Sequence, residues 1–261
     1  MIQKRHNINV LGDGPKTMVF AHGYGCDQNM WLPVAKNFQE KYRTVLFDYV
    51  GFGQSDLSAY DSERYNSLDA YADDVVAIGK ALDLSGAIFV GHSVSAMIGA
   101  LADSKEPGMF SELIMVGPSP YYLTDDGYNG GFTRAQIDEM LEFLDHNHLG
   151  WSQAYAPAIM GNPDRPELGE TLTNSFCATD PQVARDFAKV TFLSDCRDAL
   201  PNVKARTLIL QCDQDIIAPE NVGQYVHENI AGSTFSWLNA VGHCPNLSAP
   251  EEVTAAIRDF L

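Results

Sequence analysis

The sequence is poor in basic residues and has no long apolar run. Lysine and arginine number 17 against 34 aspartates and glutamates, which gives a formal net charge of −17. Such a surface repels phosphate backbones and anionic lipid head groups, so we expect neither nucleic acid nor a membrane as a partner. A transmembrane helix needs about 18 consecutive apolar residues, and no stretch of this sequence comes near that length.

Paired cysteines are also missing. The five cysteines are scattered and include no CxxC pair: Cys26, Cys177, Cys196, Cys212 and Cys244. This pattern favours free thiols over a disulfide framework or a zinc site, and it predicts a cytoplasmic protein without a bound metal. Hydrophobic residues make up 45% and charged residues 20% of the 261 residues, a globular composition that excludes disorder, collagen and coiled coil.

Short apolar, β-branched runs alternate with helical patterns along most of the chain. The predicted strands are Thr17–Ala21, Thr44–Asp48, Ala87–Val90, Glu112–Val116, Thr207–Gln211 and Thr234–Leu238. Several are apolar at consecutive positions, as in strands that are covered on both faces. Their alternation with helices predicts an α/β fold with a mostly parallel sheet. A final helix is predicted after Ser248 and Glu251, which have the spacing of a capping box.

The alternation stops between residues 132 and 194, where no convincing strand occurs. Four helices fit this segment: Thr133–His146, Leu149–Met160, Glu167–Cys177 and Pro181–Leu193. A helical insertion between two strands of a parallel sheet is expected of a cap over an active site. We therefore predict a core of residues 1–131 and 195–261, with a helical lid of residues 132–194 inserted in it.

The stretch Ile88–Ile98 combines a strand, a turn with a lone serine and a helix rich in small residues. A nucleophile elbow needs this arrangement, because the serine takes a strained backbone angle and its neighbours must be small. Gly91 fits, and Ser95 replaces the last glycine of G-x-S-x-G. The alternative is a chance Gly-His-Ser turn around Ser93.

A nucleophilic serine requires a base and an acid. Of the seven histidines, His243 lies in the loop after the last predicted strand. In a parallel sheet this loop lies at the same edge as the turn that carries Ser93. The loop after the penultimate strand offers two acids, Asp213 and Asp215. We prefer Asp215, since the apolar residues and proline behind it would hold it in place, and Asp213 becomes a turn residue. The order serine, aspartate, histidine is that of α/β-hydrolases.

An oxyanion hole is expected from the loop Ala21–Cys26, in which His-Gly follows a central strand. The donors would be the backbone N–H groups of Tyr24 and Val94. A simple glycine-rich turn is the alternative for this loop. The Gly-x-Gly at residues 51–53 lacks the further glycine and the helix of a dinucleotide site, so we interpret it as a structural turn.

Seven short stretches, spread over most of the chain, resemble one family of proteins. They are Phe47–Gly51, Ser55–Leu57, Val90–Val94, Val116–Pro120, Gly130–Phe132, Asn162–Pro166 and Gln211–Pro219. They resemble the RsbQ family of α/β-hydrolases, which contains a bacterial stress-signalling hydrolase and is related to plant strigolactone and karrikin receptors. Ser95 matches the Ser-Val-Ser-Ala-Met run of the plant receptors, and Tyr24 stands where relatives usually have phenylalanine.

The resemblance implies a V-shaped lid of four helices over a deep, largely apolar pocket. The residues that it places in the pocket are Tyr24, Phe132, Tyr155, Phe176 and Phe192. Aromatics of amphipathic helices also serve as packing, so we expect about half of these to touch a ligand. A buried Tyr24 hydroxyl needs a partner, and we expect a polar ligand or an ordered water to supply it.

These residues predict a serine hydrolase of small hydrophobic esters or lactones. Ser93 would attack the carbonyl, His243 would transfer the proton and Asp215 would hold the imidazole, a chemistry that needs no cofactor. The alternative is a ligand-responsive signalling protein with slow turnover. For it, the resemblance implies a protein partner in stress signalling such as a PAS-containing phosphatase. A dehalogenase is excluded, because it needs aspartate at position 93.

Overall fold

The computed structural model describes residues 1–261 and contains one seven-stranded sheet. The strands are β1 (Asn9–Leu11), β2 (Lys16–Ala21), β3 (Tyr42–Leu46), β4 (Ala87–His92), β5 (Phe110–Val116), β6 (Arg206–Asp213) and β7 (Thr234–Val241). Their order is β1-β3-β2-β4-β5-β6-β7, and only β1 with β3 is antiparallel. The mostly parallel sheet is therefore confirmed. Strand β1 was not predicted, because this three-residue edge strand is partly exposed and lacks an apolar run.

Helices cover both faces of the sheet. They are α1 (Ile2–Arg5), α2 (Leu32–Ala35), α3 (Leu68–Ala81), α4 (Val94–Lys105), α5 (Arg134–His146), α6 (His148–Met160), α7 (Pro166–Ala178), α8 (Pro181–Leu193), α9 (Glu220–Asn229), α10 (Pro245–Ser248) and α11 (Pro250–Phe260), with 3₁₀ turns at Gln28–Trp31, Leu57–Ala59 and Arg197–Asn202. Alternate residues of β2 and β4 belong to two separate apolar clusters, one containing α3, α4 and α9 and the other α2 and α11. Burial of both faces explains the continuous apolar runs of the central strands.

The four helices α5–α8 lie between β5 and β6, within two residues of the predicted bounds. Their starts are marked in the sequence. Thr133 and Gln136 form a capping box at α5, Asp180 accepts from two backbone N–H groups at α8, and Asn147 caps α6. Such local signals explain why the bounds of this segment could be predicted closely.

The predicted capping box at the last helix is wrong. Ser248 ends the short helix α10, and α11 begins at Pro250 with Ala249 as its N-cap and no side-chain cap. Proline is well suited to the first helical position because its fixed φ is helical and its missing N–H would be unpaired there. Pro250 therefore starts α11 two residues beyond Ser248.

Candidate active site

Ser93 lies on a strained turn between β4 and α4. Its φ is +56° and its ψ is −124°, a conformation that costs a non-glycine residue about 1–3 kcal/mol. The turn is held by a hydrogen bond of 2.8 Å from the Ser93 N–H to the Val116 carbonyl. A Cβ at Gly91 would lie 2.5 Å from the Ser95 carbonyl oxygen, so only glycine fits there. The local sequence thus produces the geometry of a nucleophile elbow.

Ser95, which replaces the last glycine of the motif, links the elbow to its surroundings. Its Oγ donates to the His22 carbonyl at 2.5 Å and accepts from the Tyr49 hydroxyl at 2.9 Å. His22 is buried, and burial lowers its pKa. The neutral ring donates from Nδ1 to the Gly23 carbonyl at 2.9 Å and accepts the Tyr49 N–H at Nε2 at 3.1 Å. Ser95 and His22 therefore hold the loop 21–26 beside the elbow.

The structure brings Ser93, His243 and Asp215 together in a hydrogen-bonded line. Ser93 Oγ donates to His243 Nε2 at 2.8 Å, and His243 Nδ1 donates to Asp215 Oδ2 at 2.7 Å. All three side chains are buried. This arrangement can remove the proton from a serine hydroxyl and return it to a leaving group.

The two acids of the β6 loop have different surroundings. The other oxygen of Asp215, Oδ1, accepts the N–H groups of Ile217 and Ala218 at 2.8 and 2.9 Å, which fixes the carboxylate. Asp213 is exposed, and its carboxylate accepts only the N–H of Gln214 at 2.9 Å. Asp215, the acid preferred from the sequence, is thus the one that meets His243, and Asp213 shapes the turn.

The N–H groups of Tyr24 and Val94 are the predicted oxyanion donors, and neither donates to an acceptor within the protein. Val94 is the first residue of α4, where backbone N–H groups have no partner in the helix. Tyr24 follows Gly23, at which a Cβ would lie 2.4 Å from the His92 ring. Glycine at position 23 therefore lets this loop approach the elbow.

His92 supports the His243 loop, a role that the sequence analysis did not assign. Its Nε2 donates to the His243 carbonyl at 2.7 Å, and the two rings are 5.0 Å apart. Burial, followed by the neighbouring His243, lowers the pKa of His92 to about 3. His92 is therefore neutral near pH 7 and positions the backbone of His243. The only signal in the sequence was its place beside Ser93.

A small cavity of about 30 Å³ lies above Ser93. Most of its lining residues are apolar, and seven of the fifteen come from the helices α5–α8. The lining residues are Tyr24, Cys26, His92, Ser93, Tyr122, Met140, Trp151, Ile159, Leu172, Phe176, Thr191, Phe192, Ile217, His243 and Cys244. No group of three or more His, Cys, Asp or Glu side chains is placed to hold a metal ion.

Of the five predicted pocket aromatics, Tyr24, Phe176 and Phe192 line this cavity. Phe132 and Tyr155 are not part of the lining. Phe132 meets Phe192 edge-on at 6.5 Å, and Tyr155 stacks on Trp151 at 5.1 Å. Each therefore packs on a residue that lines the cavity.

Trp151, Tyr122 and Thr191 line the cavity but were missed. Trp151 lies one helical turn before Tyr155, and the phase of α6 brings it to the cavity. The four-residue spacing of Trp151 and Tyr155 along one helix was the signal in the sequence that pointed to Trp151. No pattern in the sequence singles out the other two.

The expectation for the Tyr24 hydroxyl is corrected by the structure. It donates to the Ala184 carbonyl of α8 at 3.1 Å, so a protein group satisfies it without a ligand or a water. The ring stacks on Phe187 at 6.0 Å and meets Phe176 edge-on at 5.6 Å. The extra oxygen of tyrosine thus ties the loop 21–26 to the insertion.

Two buried thiols, Cys26 and Cys244, also line the cavity. Burial raises the pKa of Cys26 to about 12, and burial also raises the pKa of Cys244. Both are therefore protonated near neutral pH, and only a thiolate is a strong nucleophile. Among these side chains, only the Ser93 hydroxyl is hydrogen-bonded to a histidine that can take its proton.

A parallel sheet with a serine elbow, followed along the chain by an aspartate loop and a histidine loop, defines the class of α/β-hydrolases. The model of the alpha/beta hydrolase family matches residues 18–256, and the chain belongs to this family.

Plant and bacterial proteins are similar to the chain over nearly its whole length. It is 35% identical to the karrikin insensitive 2 receptor CA of Petunia hybrida, covering 97% of this chain and 94% of that protein. It is 34% identical to the strigolactone esterase D14 of Arabidopsis thaliana, covering 98% and 96%. The solved structure of the hydrolase olei00960 from Oleispira antarctica matches with a TM-score of 0.96 and 41% identity, covering 99% and 95%.

These relatives support the resemblance to the strigolactone and karrikin receptors. The narrower resemblance to RsbQ stays a prediction, as does the location in the cytoplasm. None of the helices is both long and apolar enough to cross a membrane.

Proposed function

We propose that the protein is a serine hydrolase of small hydrophobic esters or lactones that also senses its ligand. The observation that carries the proposal is the hydrogen-bonded line from Ser93 through His243 to Asp215, on a strained elbow at the base of an apolar cavity. Relatives named as esterases support the same chemistry.

The geometry suits a two-step acyl transfer. Ser93 Oγ attacks the carbonyl carbon while His243 Nε2 takes its proton, and the N–H groups of Tyr24 and Val94 stabilise the oxyanion. His243 then gives the proton to the leaving oxygen, which departs as the alcohol. Water activated by the same histidine hydrolyses the acyl-serine, and Asp215 keeps the imidazole Nδ1 protonated and oriented throughout.

We also propose that residues 132–194 act as a lid on the core formed by residues 1–131 and 195–261. The cavity of about 30 Å³ is narrow and is walled in part by α5–α8, so we expect these helices to move when a ligand enters. Gly25, on the loop of the predicted oxyanion donor, accepts a hydrogen bond of 2.9 Å from Ser175 of α7. Opening would therefore loosen this loop.

Replacing Ser93 by alanine tests the proposal, because the change removes only the attacking hydroxyl. Hydrolysis of p-nitrophenyl acetate should fall on the order of 10⁶-fold in kcat, as in comparable serine triads, with the fold intact by circular dichroism. An intact-mass measurement with a serine-reactive fluorophosphonate should show one adduct on the wild type and none on Ser93→Ala. A variant that keeps a tenth of the wild-type turnover would refute the proposed function.

A ligand-responsive signalling protein with slow turnover is the second candidate. It is favoured by a relative named as a receptor and by the bond of 3.0 Å from the His243 N–H to the Ile159 carbonyl of α6. This bond links the predicted base to the insertion, so that a change at the site would move the surface of α6. A PAS-containing phosphatase is the partner that the RsbQ resemblance suggests.

Pre-steady-state kinetics with an ester or lactone substrate separate the two candidates. Many turnovers per second indicate an enzyme, whereas a burst of one equivalent of product per protein followed by slow release indicates a sensor. Pull-down of a purified PAS-containing phosphatase with and without substrate would then test the partner.

A further inference from the structure

Four residues that line the cavity each have a buried polar side-chain atom without a hydrogen-bond partner. Three of these atoms can donate a hydrogen bond: the Tyr122 hydroxyl, the Trp151 Nε1 and the Thr191 Oγ1, whose residues are 2%, 1% and 3% exposed. The fourth is His92 Nδ1, an acceptor in the tautomer that donates from Nε2. Leaving such a group unpaired away from water costs about 1–3 kcal/mol. A site that retains three unpaired donors in one small cavity is suited to a ligand that can pair with them.

Thr191 differs from the other hydroxyl residues of the helical insertion. A hydroxyl inside a helix commonly donates to the carbonyl one turn earlier. In the insertion, Thr171, Thr173 and Ser152 do so at 2.8 Å, and Thr179 does so at 3.4 Å. Thr191 makes no such bond although it lies within α8. Its hydroxyl is thus available to the cavity that it lines.

Tyr122 differs in the same way from its neighbour along the loop after β5. The hydroxyl of Tyr128 donates to the Tyr121 carbonyl at 2.7 Å, whereas that of Tyr122 has no such acceptor. Burial raises the pKa of the Tyr122 phenol, and the Ser93 side chain beside it offsets part of this effect. The phenol therefore stays protonated and presents a hydrogen-bond donor next to the nucleophile.

We propose that Tyr122 and Thr191 form a subsite for a second oxygen of the substrate, so that the preferred esters or lactones carry a hydrogen-bond acceptor in the acyl part. This inference rests on the proposed function and narrows its substrate class from hydrocarbon acyl groups to oxygenated ones. The donor-only Trp151 Nε1 also lies in the wall of this cavity. The hydrogen bond of 2.8 Å between Ser93 and His243 involves neither Tyr122 nor Thr191.

A matched pair of substrates tests the subsite. The p-nitrophenyl esters of methoxyacetic and butyric acid have acyl chains of equal length and differ by one oxygen in place of a methylene. We expect the ratio of their kcat/KM values, methoxyacetate over butyrate, to fall about tenfold from the wild type to Tyr122→Phe, roughly the worth of one hydrogen bond. Thr191→Val, which keeps the shape of the side chain, should lower the ratio in the same direction.

Comparing the same two esters on each protein cancels the greater intrinsic reactivity of the methoxyacetate. Tyr121→Phe is the control, since Tyr121 is the adjacent tyrosine and does not line the cavity. Its ratio should equal that of the wild type. If Tyr122→Phe fails to fold, Thr191→Val alone decides the test.

Two results would overturn the inference. One is an unchanged ratio in both variants, which would mean that these groups pair only with water. The other is an equal fall for both esters in Tyr122→Phe with no change of ratio in Thr191→Val, which would place the phenol at the reacting carbonyl. Failure of the proposed function is separate, because it would appear as full activity of Ser93→Ala.

Discussion

The two sides of the cavity are held in different ways. The polar floor, formed by Ser93, Asp215 and His243, has each of its side-chain oxygens and nitrogens in a hydrogen bond of 2.7–2.9 Å. The helical roof, formed by α5–α8, presents stacked aromatics such as Trp151 and Phe176, 5.6 Å apart, and unpaired polar atoms. Directional bonds fix the side chains of the proposed triad, whereas packing shapes the cavity above them.

This difference predicts which positions of this protein tolerate substitution. Changing a floor residue breaks a bond that no neighbour replaces, so the chemistry tolerates little substitution. An aromatic of the roof contributes mainly buried area and shape, which other apolar residues can supply with modest loss. Under the proposed function we therefore expect catalysis and ligand choice to be separable, and substitutions on either side of the cavity can test that separation.

The largest effect is expected at the floor from Asp215→Asn. An amide at this position favours the wrong imidazole tautomer, so kcat for p-nitrophenyl acetate should fall about 10⁴-fold. Asp213→Asn is the matched control and should keep its activity, since Asp213 is exposed and its carboxylate bonds only to the neighbouring Gln214 N–H. The reverse ranking would assign the acid to Asp213.

The contact between roof and floor should break in Gly242→Ala. Gly242 has φ +84°, and a Cβ there would lie 2.1 Å from the Met160 carbonyl oxygen of α6. The clash should displace the adjacent His243, and kcat should fall about 10²-fold, as expected for a displacement near 1 Å. Steady-state kinetics give the measurement.

Gly232→Ala is the control that separates the steric clash expected in Gly242→Ala from the backbone strain that both alanine variants share. Gly232 has φ +72°, but a Cβ there would have no atom within 4 Å, so alanine adds strain without contact. We expect a loss of about 1 kcal/mol in unfolding free energy with kcat retained. Equal kcat values for the two alanine variants would show that Gly242 does not link roof and floor.

The pH dependence of stability should report the buried His92. Its folded-state pKa of about 3 lies below the ordinary value near 6.5, so the unfolded chain binds the proton first as the pH falls. The stabilisation that follows from this low pKa is complete above pH 6.5. As the pH falls below that value, the free energy of unfolding decreases by up to about 1.4 kcal/mol per pH unit. His6 and His22, whose pKa values burial also lowers, act in the same direction.

Urea unfolding at pH 7 and pH 5 measures this contribution. Between pH 7 and pH 5, the free energy of unfolding of His92→Gln should decrease by about 2 kcal/mol less than that of the wild type. The control is His146→Gln, because His146 is exposed and its replacement should leave the pH dependence unchanged. Identical slopes for His92→Gln and the wild type would contradict the assignment.

The smallest effect is expected from Tyr24→Phe, which removes the bond from the hydroxyl to the Ala184 carbonyl. The unfolding free energy should decrease by about 1 kcal/mol, the net worth of one buried hydrogen bond. Tyr155→Phe is the control, since no bond of the Tyr155 hydroxyl is lost, and it should remain near the wild-type value. Equal stabilities of the two variants would mean that Tyr24 does not tie the loop to α8.

Features that depend on neighbouring residues were predictable from the sequence. The starts of α5 and α8 follow from Thr133 with Gln136 and from Asp180, and the elbow around Ser93 follows from Gly91 and the small residues behind it. Local hydrogen bonds and steric limits act over a few residues, so they are visible in a short stretch of sequence. The order of strands and helices likewise predicted the parallel sheet.

Only the tertiary structure decided which side chains meet across the cavity. The partner of Tyr24 lies 160 positions away, and His92 supports a residue 151 positions away. The cavity is lined by Tyr122 and Thr191, whereas the predicted Phe132 and Tyr155 lie outside its lining. This outcome also depends on how distant parts of the chain pack together. Sequence periodicity states which face of an element is apolar, but the angle at which elements pack determines the contacts that each residue makes, and that angle depends on the whole fold.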